Sequence, residues 1–222
     1  MILFELTGSE AHPVYQELEV SNGNRQYDFL RSIVTAALQA NKRFLSQHVI
    51  KALNFQAITC LHTNPGEYRP CRVKVGEYIP PEFYQVQALM DDFVNEVNSQ
   101  WRQEDPIVLA SYVLWRLNFI HPFINGNGRT ARATSYFVLC VSAGYWLPGV
   151  TILPELIRRE RIAYVEALKL VDESFIAGKL DLSPLHALLS TLLAEQFESA
   201  GIKPGEGDEE AQASPVAESD VQ

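Results

Sequence analysis

A nearly unbroken apolar helix that runs directly into a glycine-rich turn constrains the fold of this chain more than any other feature. The helix is predicted over residues 107–120, in which only three side chains are clearly polar. Asp105 and Pro106 precede it as the N-cap and the first helical residue. A helix that is apolar on almost every side belongs in the centre of a bundle. We therefore expect the turn that follows to rest on a rigid core.

Further helices are predicted on both sides of this centre, because apolar residues recur at helical spacing. The predicted segments are 27–40, 47–62, 83–98, 130–143, 154–170 and 185–198. Between Gly66 and Gly76, the alternating residues from Tyr68 to Val75 predict a short β-hairpin. The sequence thus predicts an all-α bundle with one small β-hairpin.

Composition divides the chain into three parts. Residues 1–25 contain turn-prone residues and are predicted to be irregular, residues 26–200 form one helical domain, and residues 201–222 form an acidic disordered tail. The net charge of −9 argues against a nucleic-acid partner. No membrane span or secretory signal is expected, and three cysteines without paired spacing favour a reducing compartment. We expect a cytoplasmic protein.

The turn after the central helix has the residues of an anion-binding site. The run Gly126-Asn127-Gly128 can direct successive backbone N–H groups into one concavity, which suits phosphate oxygens. The next helix begins there, and its N-terminal dipole also favours anions. Arg129 and Arg132 share one face of that helix, so both can reach a polyphosphate.

One residue beside this concavity can act as a base near neutral pH. His121 lies at the start of the turn, and its imidazole is the side chain there that exchanges a proton in this pH range. Without the glycines and arginines that follow, a histidine at a helix C-terminus would be expected to act only as a cap. A base, an anion cradle and two arginines within one turn predict phosphoryl or nucleotidyl transfer.

The turn resembles the signature of the Fic family, His-x-Phe-x-(Asp/Glu)-Gly-Asn-Gly-Arg-x-x-Arg. The wider layout is also similar from about Tyr27 to about Phe197. The resemblance implies a Fic-type helical bundle with a small β-hairpin flap over the active site. The fixed positions that match are His121, Phe123, Gly126, Asn127, Gly128, Arg129 and Arg132.

This resemblance implies a protein adenylyltransferase with ATP and a hydroxyl-bearing protein as substrates. His121 would deprotonate a Ser, Thr or Tyr hydroxyl, which would attack the α-phosphate of ATP and expel pyrophosphate. The Gly126–Arg129 segment and Arg132 would bind the nucleotide, with Arg132 on the γ-phosphate. The same site could instead transfer UMP, phosphocholine or phosphate, because the group that faces the base depends on how the substrate lies.

Asn125 is the one departure from the signature, since the family usually has an acid there that binds Mg²⁺. Mg²⁺ prefers carboxylate oxygens, whereas Asn125 offers a carbonyl oxygen without charge. Three outcomes stay open: a weaker metal site, a changed leaving-group preference, or a catalytically weak nucleotide-binding regulatory module.

Two further regions have roles that the resemblance implies. Gly66, Glu67, Tyr68 and Arg69 resemble the flap against which a target segment pairs, with an inert surface hairpin as the alternative. Tyr164 could stack on adenine, although an aromatic residue at helical spacing more often packs in a core.

The last helix contains a possible inhibitory motif. Many relatives carry an inhibitory (Ser/Thr)-x-x-x-Glu-(Gly/Asn) helix, and Thr191–Gln196, which contains Glu195, matches all but its last position. Inhibition by Glu195 and restraint by a partner or by homo-oligomerisation both stay open. The apolar stripe of the last helix predicts packing onto the core, with a dimer surface as the alternative.

Overall fold

The computed structural model describes residues 2–201, which form a bundle of nine α-helices. A single 3₁₀ turn, Phe83–Gln85, precedes the fourth helix. The all-α prediction is confirmed over this range, and the predicted disordered tail lies outside it. The helices are α1 Leu3–Thr7, α2 Pro13–Gln39, α3 Gln47–Ile58, α4 Val86–Gln100, α5 Pro106–Ile120, α6 Asn127–Ala143, α7 Leu153–Arg159, α8 Arg161–Ile176 and α9 Ser183–Glu198.

Helices α5 and α6 form the centre of the bundle. Each is buried along most of its length, and each packs more extensively on the other than on any other helix. Asp105 caps α5 as predicted, because its Oδ1 accepts hydrogen bonds from the N–H groups of Ile107 at 2.8 Å and Val108 at 3.1 Å. Residues 121–126 join the two helices, so the candidate site rests on the most rigid part of the molecule.

The N-terminal segment differs from the prediction, because residues 1–25 are largely helical over their described part. Helix α2 begins at Pro13 and continues through the turn-prone Ser-Asn-Gly-Asn run. The amide of Asn22 donates to the carbonyl of Thr59 at 2.9 Å, and the amide of Gln26 donates to the carbonyl of Leu53, also at 2.9 Å. Because these bonds hold α2 against α3, tertiary contacts override the local preference for a turn.

The predicted β-hairpin at Tyr68–Val75 is not observed, and residues 2–201 contain no β-strand. A single antiparallel bridge joins Val75 and Tyr78 around a tight turn, in which Gly76 has φ 58°. The segment is held instead by its side chains: Arg69 is 2% exposed and Tyr68 packs against Phe123. These anchors replace the ladder of hydrogen bonds that a hairpin would require.

The helix predicted over residues 154–170 is two helices. Glu160, with φ −88° and ψ 40°, leaves the helical region between α7 and α8. This break lets each helix turn its own apolar face to the core, with Leu156 and Ile157 buried on α7 and Val171 on α8. No helix within the described range has the length and hydropathy needed to cross a bilayer.

Candidate active site

His121 lies at the point where α5 ends. It has a left-handed backbone, with φ 51° and ψ 58°, and its N–H donates to the carbonyl of Leu117. Burial lowers the pKa of the imidazole to about 4, and the nearby positive charge of Arg69 also lowers it, while a hydrogen bond with the backbone of Asn118 opposes both effects. The ring is therefore neutral at pH 7 and is able to accept a proton.

Arg69 holds the loop that carries this histidine. Its Nε donates to the carbonyl of His121 at 2.8 Å, and its backbone N–H donates to the carbonyl of Pro122 at the same distance. The rest of the guanidinium binds the carbonyls of Cys71 and Pro81. A buried cation surrounded by carbonyl oxygens fixes the loop by charge-assisted hydrogen bonds. The side chain of Arg69 therefore holds the loop, while its place in a target-contacting flap stays a prediction.

Hydrogen bonds between its own residues hold the turn between His121 and α6. The side-chain amide of Asn127 accepts from the N–H of Phe123 at 2.9 Å and donates to its carbonyl at 2.8 Å. Phe123 itself is fully buried. Because the side-chain amide of Asn127 holds the loop, its backbone N–H is the donor that stays available to a ligand.

Glycine is required at position 126, where φ is 76°. A Cβ at Gly126 would lie 2.6 Å from Cγ2 of Ile58 and 3.1 Å from Nδ2 of Asn54. Asn54 is also the residue that ties α3 to the turn, because its amide donates to the carbonyl of Asn125 at 2.9 Å. The turn therefore packs against α3 too closely for any side chain at this position.

The first turn of α6 presents an anion cradle. Within residues 2–201, the N–H groups of Asn127, Gly128 and Arg129 have no hydrogen-bond acceptor, as expected for the open N-terminus of a helix. A Cβ at Gly128 would lie 3.3 Å from Nη1 of Arg132, so the Arg132 guanidinium lies beside these groups. This arrangement can bind phosphate oxygens.

The two arginines of the motif have different surroundings. Arg129 donates to the carbonyl of Ala57 and to Oδ1 of Asn125, and it forms an ion pair with Glu19, each at 3.1 Å. Across the described chain, the guanidinium of Arg132 forms neither a hydrogen bond nor an ion pair, and burial lowers its pKa. Arg132 is thus available to an anionic ligand, whereas the guanidinium of Arg129 is already bound by other residues of the chain.

Asn125 is turned away from a role as a metal ligand. Its Oδ1 accepts from Arg129, while its Nδ2 lies 2.9 Å from both Oε1 of Glu10 and Nε2 of His62. A carbonyl oxygen that faces a guanidinium does not fit a Mg²⁺ site. Residues 2–201 also contain no group of three His, Cys, Asp or Glu side chains that could hold a metal ion.

The structure gives Tyr164 and Glu195 structural contacts. Tyr164 is 5% exposed and its hydroxyl accepts from the amide of Asn118 at 2.8 Å, so its ring packs in the core, which was the alternative to stacking on adenine. Glu195 pairs with Arg159, not with Arg132. Gln196, at the mismatched last position of the inhibitory pattern, is fully buried and donates to the hydroxyl of Tyr136.

The predicted flap residues are mostly anchored as well. Gly66 is buried, and its N–H donates to Oδ1 of Asn54 at 3.0 Å. Glu67 is exposed and pairs with Lys51, whose ammonium lies 4.4 Å from the ring centroid of Tyr68. Of the four residues assigned to a flap, Glu67 alone therefore presents a largely exposed side chain.

Sequence reasoning missed four residues that hold the motif, Glu10, Glu19, Asn54 and His62. Asn54 gave a usable signal, because it occupies a core-facing position of α3 beside Leu53 and Ala57, where a buried amide needs partners. The other three gave no signal, since Glu10 and Glu19 reach the motif only when the N-terminal segment folds over it, and His62 reaches Asn125 only when the segment after α3 is placed.

Comparison with known proteins agrees with this geometry. The profile of the Fic/DOC family matches residues 44–139. A protein named protein adenylyltransferase Fic from Drosophila persimilis is 38% identical over 119 residues, which is 52% of this chain and 22% of that protein. The corresponding Drosophila willistoni protein is 37% identical over the same length. The chain thus spans about a fifth of the length of these curated relatives.

Solved structures support the same fold. Fic-1 from C. elegans superposes with a TM-score of 0.68 at 21% identity, covering 89% of this chain and 56% of that one. A Fic family protein from Desulfovibrio desulfuricans G20 gives a TM-score of 0.65 at 22% identity, covering 86% and 55%. These two structures show that the chain has the fold of Fic proteins, and the family profile identifies a Fic/DOC domain at residues 44–139.

Proposed function

We propose that this chain is a protein adenylyltransferase that moves AMP from ATP to a Ser, Thr or Tyr hydroxyl of another protein. One observation carries the proposal. A neutral imidazole at His121 stands at one end of a rigid turn, and the unpaired guanidinium of Arg132 lies beside free N–H groups at the other end. A base and an open anion cradle held in fixed geometry suit attack on a phosphate ester.

The reaction would proceed by a single displacement. His121 takes the proton of the substrate hydroxyl as its oxygen forms a bond to the α-phosphorus of ATP. The bond from that phosphorus to the bridging oxygen of the β-phosphate breaks, and pyrophosphate leaves with the electron pair. The N–H groups of residues 127–129 and the charge of Arg132 stabilise the negative charge of the phosphates. The imidazolium then loses its proton to water.

Mg²⁺ normally accompanies a triphosphate and would offset part of its negative charge. Because Asn125 turns its oxygen to Arg129, we propose that any such ion is held by the nucleotide more than by the protein. Glu10 accepts a hydrogen bond from Asn125, so its carboxylate lies close to Asn125 and can attract a cation there.

The protein substrate is proposed to lie along the segment from Arg69 to Glu82. Its first residue holds His121 in place, and the hydroxyl of Tyr78 donates to the carbonyl of Phe119 at 2.6 Å, on the helix that ends at His121. Ile79 and Tyr84 are 75% and 71% exposed near its end. A segment outside the helices with exposed apolar side chains can contact a polypeptide.

Intact-mass measurement after incubation with ATP and Mg²⁺ tests this function. We expect AMP on the chain itself or on an added acceptor protein, with pyrophosphate release, and a loss of about 10²- to 10⁴-fold in His121→Ala. Arg161→Gln, at an exposed position away from the motif, is the control. A mass gain equal to phosphate would replace the proposal with phosphoryl transfer.

A second candidate, a nucleotide-binding module with little activity, is favoured by the surroundings of Asn125. Asn125→Asp distinguishes the two, because it restores an acid but places it beside Glu10. If the native chain binds ATP without transferring AMP while Asn125→Asp transfers it with Mg²⁺, the weak-module reading is correct. If both transfer AMP, the acid at this position is dispensable.

A further inference from the structure

Arg116 lies among aromatic rings at the seam between α5 and α8. Its guanidinium carbon is 5.5 Å from the ring centroid of Trp115, 5.3 Å from that of Phe119 and 5.6 Å from that of Phe175. Aromatic neighbours at these distances attract the cation but accept no conventional hydrogen bond from its N–H edges. The rings therefore fix the position of Arg116 while leaving its donors without acceptors.

No anion within the described residues neutralises this arginine. Arg116 takes part in no hydrogen bond or ion pair across residues 2–201, and its Nε is buried without an acceptor. Asp172, across the seam, is not within ion-pair distance and accepts instead from Nε1 of Trp115 at 2.8 Å. The Nη groups of the same guanidinium are not among the buried atoms, so a ligand at the surface can supply the acceptor that the described residues do not provide.

The Arg69–Glu82 segment connects Arg116 with the candidate base. At one end, Nε of Arg69 lies 2.8 Å from the carbonyl oxygen of His121. At the other, the ring centroid of Tyr78 lies 6.1 Å from that of Phe119, which in turn lies 5.3 Å from the guanidinium carbon of Arg116. Along α5, Arg116 precedes His121 by five residues, an axial distance of about 7.5 Å.

We propose that Arg116 binds the carboxylate of an Asp or Glu side chain in the protein substrate, close in sequence to the hydroxyl that is modified. This inference rests on the proposed function. A guanidinium presents paired N–H groups that match a carboxylate, which explains an arginine held in place with open donors. An extended chain advances about 3.3 Å per residue, so the acid is expected about two to four residues from the hydroxyl.

Paired peptides test the proposal on the full chain. Each short peptide carries one Ser, Thr or Tyr and a single Glu, placed in turn at each position within about four residues of the hydroxyl, and each has a Gln twin. AMP transfer is measured as kcat/KM. We expect one Glu position to exceed its twin by about tenfold, the ratio typical of one charge-assisted contact. In Arg116→Gln this ratio falls to about one.

Three further variants separate recognition of a carboxylate from a general effect of charge. Arg102→Gln removes an exposed positive charge at the end of α4 and should keep the tenfold ratio. Asp172→Asn removes a carboxylate across the seam that would repel an approaching acid, so the ratio should increase. Arg116→Lys keeps the charge but not the paired donors, so an intermediate ratio is expected. A native ratio of about one at every position overturns the proposal.

A binding measurement keeps the test decisive even when no peptide is modified. The Nε–H resonance of Arg116, identified by its loss in Arg116→Gln, is followed by NMR while either twin is added. A shift with the Glu peptide and none with the Gln twin or with free acetate supports a carboxylate site on a peptide partner, even if AMP transfer fails and the proposed function with it. An equal shift with acetate or no shift at all overturns it.

Discussion

The two sides of the α6 N-terminus differ in how far their positive charge is already neutralised. On the side that faces α2, Arg129 is held by Glu19, Asn125 and the carbonyl of Ala57. On the other side, Arg132 has no partner within residues 2–201, although it lies beside the free N–H groups of the cradle. The two arginines, three residues apart, therefore differ in role. Arg129 holds the shape of the site, whereas Arg132 stays available to a ligand.

The largest expected effect on stability is that of a side chain at Gly126, because this residue precedes α6 and supports both sides of its N-terminus. In Gly126→Ala, the added methyl group meets Ile58 in a left-handed backbone, and the free energy of unfolding should fall by about 2–4 kcal/mol. Gly144→Ala is the matched control, because Gly144 is also left-handed but has open space around it; its cost should be about 1–2 kcal/mol. Chemical denaturation measures both. Equal losses would show that contact with α3 does not restrict the turn.

Removing Arg132 sharpens the comparison. Arg132→Ala should weaken ATP binding by about 10- to 100-fold, because a charge-assisted contact of about 1.5–3 kcal/mol is lost. The free energy of unfolding should stay the same or rise, since an unpaired, largely buried charge is removed. Calorimetric titration and thermal denaturation measure the two quantities. A marked loss of stability would mean that Arg132 has a structural partner after all.

The opposite pattern is expected for Arg129. Arg129→Ala breaks its bonds to Ala57 and Asn125, so the free energy of unfolding should fall by about 1–3 kcal/mol, while ATP binding weakens less than in Arg132→Ala. Arg129→Lys, which retains the charge without the forked donors, should lie between the native chain and the alanine variant. If Arg129→Ala loses more affinity than Arg132→Ala, the assignment of roles is reversed.

Acid should affect the base and the fold together. Because the pKa of His121 is lowered to about 4 from its usual 6.5, the unfolded chain binds a proton in this window and the folded chain does not. Stability should therefore fall as the pH drops from about 6.5 to about 4, by up to about 1.4 kcal/mol per pH unit. His121→Gln should flatten this slope. AMP transfer should persist below pH 6, whereas an acid limb near 6.5 would show an unperturbed ring.

The smallest effect is expected at Glu19. Glu19→Gln removes a partly exposed partner, and the two remaining contacts still hold Arg129. The free energy of unfolding should change by less than about 1 kcal/mol, and ATP binding should strengthen by no more than about threefold. Denaturation and calorimetry at low and moderate salt measure this. A large gain in affinity would show that Glu19 competes with the nucleotide.

The central helices and the cradle could be predicted because their signals are local. Asp105 marks the start of α5, a run of apolar residues marks its burial, and Gly126 marks the turn before α6. In each case a residue and its near neighbours determine the backbone. His121 lies at the end of α5 and Arg132 lies in the second turn of α6, and the roles that the sequence assigns to them stay predictions.

The remaining features depend on contacts between distant residues. Asn22 sits in a sequence that favours a turn, yet it is helical because its amide reaches a carbonyl of the segment after α3. Arg69 lies in a segment that alternates like a strand, but its guanidinium is drawn into the core by carbonyls near residue 120. The pairing of Glu19 with Arg129 likewise becomes visible only once α2 is placed. No local pattern encodes these contacts.

The contact between Arg69 and His121 links shape to acidity. One guanidinium anchors the loop through the carbonyl of the histidine, and its charge also discourages protonation of the ring. Replacing Arg69 with a neutral residue would loosen the turn after α5 and, at the same time, make the imidazole of His121 more basic. A substitution at position 69 would therefore shift the pKa of His121 only by also displacing the loop that carries it. A shift of that pKa without such a displacement would require a change in other residues that bury the ring.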